Sequence, residues 1–151
     1  MANDQAFTVT SELHYREPTA ALTWLADAFG FEIRMVVTDD AGRMVFADVG
    51  WHDVSVAITP EEPTQKQSPR ALDGANTQLV RIRGDFDVDA HCARSRAAGA
   101  TIVQEPVQHF FGDRTYVAAD LEGHLWSFAQ RIPNAGGPPP DGWRIAFPSR
   151  G

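Results

Sequence analysis

The sequence predicts an α+β fold in which one module, a strand, a helix and three further strands, occurs twice. Three observations carry that expectation. Residues 112–131, GDRTYVAADLEGHLWSFAQR, read as a strand, a tight turn and a second strand. The last strand alternates, with Trp126 and Phe128 on one face and Leu125, Ser127 and Ala129 on the other, which predicts helices behind the sheet and an open cavity in front. Finally, AFGFE (28–32) answers to AAGAT (97–101) and RMVFAD (43–48) to RTYVAAD (114–120), each at an offset of about 70 residues, so the plan repeats.

Each element has a local reason. Residues 8–15 alternate, placing Leu13 and Tyr15 on one face and Thr10, Glu12 and His14 on the other, as in a half-buried strand. Glu17-Pro18 opens a helix, Ala21, Leu22, Leu25, Ala28 and Phe29 recur at helical spacing, and Gly30 supplies a left-handed cap. Residues 31–38, 43–49 and 53–59 predict three strands, the first two joined by a turn at 39–42 and the last two through Gly50-Trp51-His52. Residues 60–76, PEEPTQKQSPRALDGAN, hold three prolines and no apolar period, and read as a linker. The second module follows: a strand at 77–82, a connection at 83–86, a helix from 87 to 98 with an aspartate at its start and Gly99 at its end, and a strand at 101–107. The predicted organisation is one domain over 1–131 (modules 7–59 and 77–131) and a Pro/Gly-rich tail over 132–151. Three consecutive prolines favour an extended tail, and Trp143, Ile145 and Phe147 predict that it packs on the domain or on a second subunit.

Composition narrows the partners. At 151 residues the chain is long enough for one domain with a substantial core. A net charge of −7 lacks the basic footprint that nucleic acid or an anionic membrane requires. No apolar run approaches a membrane span, and MANDQAFTVT has no signal-peptide pattern, so a cytoplasmic location is expected. Cys92 is the lone cysteine, which leaves no internal disulfide and fits buried filler. No G-x-S-x-G elbow, phosphate loop, dinucleotide fingerprint or HExxH occurs.

The paired modules, with FDVDAHCARSRAAGATIVQEP, FGDR and DLEGHLWSF in the second and LTWLADAFGFE in the first, resemble the vicinal oxygen chelate superfamily, its glyoxalase/bleomycin-resistance branch in particular. The resemblance spans residues 7–131 and implies two half-barrel cups, usually paired in a homodimer. Metal enzymes of that superfamily place ligands on four strands; the matching positions here are Thr10, Val56, Gln78 (or Val80) and Ser127. A neutral Thr/Val/Gln/Ser set is poor for a divalent ion, so no metal cofactor is expected. A shifted site from Glu12 and His14, with a third donor from His52 or His109, is the alternative.

Phe46, Trp51, Phe110, Phe111 and Tyr116 come from strands and loops expected around the cup, and are candidates for an aromatic lining. Arg114 is a candidate for a ligand anion, or for a local ion pair with Asp113. Asp120 and Glu122 are expected to fix the geometry of their turn. Two functions fit this reading. One is a metal-free binder of a small aromatic or cationic molecule. The other is a lyase, isomerase or dioxygenase that uses a displaced metal or a Glu12/His14 acid–base pair. A third class, a protein-interaction module docking through the tail, is also compatible with the sequence.

Overall fold

Helix α1 (Pro18–Phe29) forms because Pro18 occupies the first turn and Ala21, Leu22, Leu25, Ala28 and Phe29 align on one buried stripe. Gly30 ends it in the left-handed conformation, φ 79°, which a side chain would strain. The computed structural model describes residues 7–148, so expectations for residues 1–6 and 149–151 lie outside the described residues.

Around α1 the chain builds β1 (Ser11–Tyr15), β2 (Glu32–Thr38), β3 (Met44–Trp51) and β4 (Val54–Pro60), in the sheet order β1-β4-β3-β2. The second module repeats the plan with β5 (Leu79–Gly84), α2 (Val88–Ala97), β6 (Thr101–Gln108), β7 (Asp113–Ala119) and β8 (Leu125–Arg131), ordered β5-β8-β7-β6. In both sheets the first and last strands pair in parallel and the remaining pairs are antiparallel. The predicted α+β repeat is therefore the observed architecture.

Some boundaries differ from expectation. β5 runs on through Gly84, so residues 83 and 84 belong to the strand and not to a connection. The linker carries a short 3-10 turn at Pro69–Leu72, where Ser68 Oγ accepts the backbone N–H of Arg70. Gly50 lies inside β3; the Arg34 guanidinium crosses it to donate to the carbonyls of His52 (2.6 Å) and Val54 (3.3 Å), so a side chain at this position would displace the guanidinium.

One core lies between the sheets and the two helices. Trp126, Phe128, Phe29 and Phe31 meet there at centroid separations of 4.8–6.4 Å. Burying side chains of this kind contributes about 1.5–3 kcal/mol each. The helices meet at the end of α1, where carbonyls lack intrahelical partners. Donors from α2 satisfy them: His91 Nε2 bonds Phe29 O at 2.8 Å, Ser95 Oγ reaches Ala28 O at 3.2 Å, and Arg94 reaches the carbonyls of Asp27 and Ala26. Since a carbonyl only accepts, His91 carries its proton on Nε2, and Nδ1 accepts from Tyr116 Oη at 2.6 Å.

The modules are further joined at the β7–β8 turn. Asp120 Oδ2 accepts from Tyr15 Oη (2.6 Å) and Trp126 Nε1 (3.0 Å), while Oδ1 accepts the backbone N–H groups of Glu122 and His124. Glu122 accepts the N–H groups of Arg16 and Glu17 and the Ser68 hydroxyl, and His124 Nε2 donates to His14 O. Burial pushes the Tyr15 phenol well above its ordinary value, so it remains a donor to Asp120.

Asp120→Ala strands two side-chain donors and two backbone donors in a buried site, and is expected to cost about 3 kcal/mol or more, read from a urea melt; a loss under about 1 kcal/mol would show that the turn is not the clamp. Burial also lowers the proton affinity of His91. The unfolded chain then takes up a proton near the ordinary histidine value of about 6.5 that the native state refuses. The stability gained from neutral His91 is full above that pH and declines as pH falls below it. The melting midpoint should therefore drop from pH 7 to 5, and His91→Phe should flatten that slope; an unchanged slope in the variant removes the assignment.

Candidate functional site

Strand alternation gives each sheet a face packed on its helix and an open face. In the first sheet, Leu13, Tyr15, Val49, Val56 and Ile58 face the helix, whereas Thr10, Glu12, Met35, Phe46, Asp48 and Ala57 surround a cavity of about 340 Å³. Asp48 accepts a hydrogen bond from the Ser55 hydroxyl at its edge. This cavity combines an apolar floor with two carboxylates.

A second cavity, of about 370 Å³, lies between β1 and the linker. Glu12 and His14 line it from the strand, Lys66 and Gln78 from the linker and the start of the second module, and His124 from the β7–β8 turn. His14 Nδ1 is 2.7 Å from Thr59 Oγ1, and burial lowers the proton affinity of this imidazole despite the nearby Glu12. No hydrogen bond joins Glu12 to His14, although both border the same space.

The open face of the second sheet has a different character. Arg81 pairs directly with Ser127 and Arg83 with Ala129, and Val117 and Thr115 continue these rows on β7. From edge strand β5 both arginines reach across β8 to Asp113, at 2.9 Å from Arg81 Nη2 and 2.8 Å from Arg83 Nε. The small residues Ser127 and Ala129 lie beneath their stems, and both are buried. The Arg83 hydrogen bond, followed by its charge and that of Arg81, holds the Asp113 carboxyl below the usual range against the opposing effect of burial. Asp113 Oδ1 and Gln104 Nε2, the latter on a β6 residue paired with Val117, are buried without a partner among the described residues. A buried polar atom left in that state costs about 1–3 kcal/mol. His109 Nε2 bonds Thr115 Oγ1 at 2.7 Å and its ring stacks on Phe111, over which Arg81 Cζ stands at 6.0 Å.

The structure distributes the residues expected at the site. Thr10, Glu12 and Phe46 meet at the first open face, and Glu12, His14 and Gln78 at the linker cavity. Ser127 is on the floor of the second face and Phe111 at its rim. Five residues lie elsewhere. Val56 and Tyr116 are fully buried on the helix side, because β4 presents Ser55 and Ala57 outward and Tyr116 bonds His91 and Ser95. Trp51 packs on Phe86 and His91 at the junction of the modules, beside a space of about 280 Å³. Arg114 makes a two-pronged pair with Asp89 of α2, at 2.9 and 2.8 Å, and not with Asp113. Phe110 lies under the tail, where Trp143 meets it edge-on at 6.2 Å.

The four positions matched to superfamily ligands do not form a donor set. Val56 faces the core, Gln78 precedes β5, and the residue beside Ser127 is Arg81, a cation. Among the described residues no three His, Cys, Asp or Glu side chains come together as ligands, the shifted set with Glu12, His14, His52 or His109 included. The neutral Thr, Val, Gln and Ser at the four matched positions are weak donors for a divalent ion. Sequence reasoning missed Arg81, Arg83, Asp48 and Asp113; the alternation of Val80 and Ile82 with Arg81 and Arg83 was the signal for the first two.

Comparison with known proteins agrees with this architecture. TioX from Micromonospora sp. ML1 superposes with a TM-score of 0.65 at 34% identity, covering 82% of this chain and 95% of TioX. TnmS3, an antibiotic binding protein from Streptomyces sp. CB03234, shares the fold with a TM-score of 0.63 at 21% identity over 84% of this chain and 98% of its own. An uncharacterized Mycobacterium bovis protein, Mb0911c, is 30% identical over 95 residues, which are 60% of this chain and 61% of that protein. The chain thus spans under two thirds of that relative's length. The family model described as Glyoxalase/Bleomycin resistance protein/Dioxygenase superfamily matches residues 10–128, and the chain belongs to that superfamily.

Proposed function

We propose that this protein binds a small aromatic organic molecule on the open sheet faces without a metal, and that it works in the cytoplasm as a homodimer. The observation that carries the reading is the first open face: Phe46 and Met35 provide apolar area, and Glu12 and Asp48 provide charge, around a cavity of about 340 Å³. Those carboxylates suit a cationic group on the ligand. The donor chemistry of the superfamily positions, described above, supports a metal-free site. TnmS3 is an antibiotic binding protein on the same fold, so the architecture accommodates such a use. No helix among the described residues is long and apolar enough to cross a membrane.

Pairing of two copies is supported by edge strand β2. Every residue of it is exposed, and outside the cavity lining Ile33, Val36 and Val37 are each between 40 and 46%. A second copy laid on this strand would remove that apolar area from water.

A second reading, catalysis by Glu12 and His14, is favoured by one observation. Neutral His14 has Nδ1 engaged by Thr59, while Nε2 meets no partner among the described residues, so a base is available beside Glu12.

The binding reading is tested with a thermal-shift screen of aromatic natural products on the wild type and on Ala57→Trp, which fills the first cavity. Ligands that raise the wild-type midpoint by several degrees should leave the variant unmoved; equal shifts in both would place the ligand elsewhere, and no shift in the wild type would overturn the reading. His14→Gln should retain such ligands, and Glu12→Gln should weaken only those that carry a cation. If either abolishes turnover of a bound ligand while binding persists, the catalytic reading replaces the binding one.

A further inference from the structure

We propose that Arg81 and Arg83 recognise an oxyanion, a carboxylate or a phosphate, on the organic ligand, with Asp113 holding the two guanidiniums in position. The inference rests on the binding reading above and adds a chemical requirement to the ligand.

The geometry distinguishes this cluster from an ordinary ion pair. Asp113 is buried, its side chain 4% exposed, whereas Arg81 and Arg83 are 42 and 47% exposed. The carboxylate therefore lies at the bottom and the guanidiniums face outward. Both bond the same oxygen, Oδ2, through one N–H each. A guanidinium carries five N–H donors, so four on each remain without an acceptor among the described residues. The other carboxylate oxygen, Oδ1, is buried and has no partner among the described residues. Two cations and one anion leave the cluster with one net positive charge inside a chain whose net charge is −7. A fixed donor fork with surplus charge matches the planar oxygens of a carboxylate or the tetrahedral oxygens of a phosphate.

The surroundings supply the rest of a ligand site. Ser127 and Ala129 are small, which allows the arginine stems to lie flat over β8 and the head groups to be held near the sheet. Phe111, half exposed beneath Arg81 and stacked on His109, offers an aromatic surface beside the charge. Where the superfamily resemblance places a metal ligand, Ser127, this chain sets Arg81 alongside, so the positive charge is present in a different carrier.

Calorimetric titration of three matched probes tests the proposal: 2-naphthoate, 2-naphthyl phosphate and the neutral 2-naphthamide, each on the wild type and on Arg81→Gln/Arg83→Gln. The anions should bind the wild type at least about tenfold more tightly than the amide, and the double variant should lose that preference while keeping the amide's affinity. Whichever anion binds more tightly identifies the source of the oxyanion. Equal affinity of amide and anions, or a preference that survives in the double variant, overturns the arginine assignment and leaves the binding reading standing. Binding of none of the three to the wild type counts against both. Circular dichroism checks the fold of the variant. If it does not fold, Arg81→Lys/Arg83→Lys keeps the charge and removes the fork; it should weaken the anions several-fold, and unchanged affinity there would equally overturn the assignment.

Discussion

The carboxylate of Asp120 is the interaction on which the rest of the structure depends. It receives a phenol from the first module, an indole from the second, and two backbone N–H groups from its own turn. Two residues on, Glu122 draws in the start of α1 and the linker hydroxyl of Ser68. One four-residue turn thus fastens β1, β8, α1 and the linker together. Each acceptor is buried, so each must be matched, and the matching fixes where the modules sit. The open faces inherit their placement from that junction.

The repeat supplies two equivalent scaffolds, and the chain has used them differently. On the first sheet the outward positions of β1, β3 and β4 carry Glu12, Phe46, Asp48 and Ala57, giving an apolar space with acidic groups. On the second sheet the outward positions of β5 carry Arg81 and Arg83, drawn down onto Asp113. Backbone symmetry and side-chain asymmetry together make faces of opposite charge. Among the described residues neither face gathers three ligating side chains.

Much of the fold was legible because local signals and tertiary structure agree. The 3.6-residue spacing in α1, the alternation in β1 and β8, and the glycine after α1 all name their elements correctly, and the repeat then orders the strands. The site was less legible, since register decides it and register is a tertiary property. Reading the strand as 77–82 set β5 two residues too early, and so Arg81 and Arg83 were not placed beside Ser127 and Ala129. Val56 and Tyr116 were expected at the lining; a one-residue change of parity puts both against the helices. Arg114 was expected to meet Asp113 or a ligand, but α2 brings Asp89 to it across a gap in sequence that no local pattern encodes.

The central claim is that the open faces serve an organic ligand without a metal. Metal content answers it most directly, measured on protein purified without added metal or a chelating tag and followed by thermal melts with Ni(II), Mn(II), Zn(II) and Fe(II). The account predicts substoichiometric metal and no stabilisation by any of the four. One tightly held ion per chain, with a melting point raised on its return, would contradict it and move the chemistry to a metal centre.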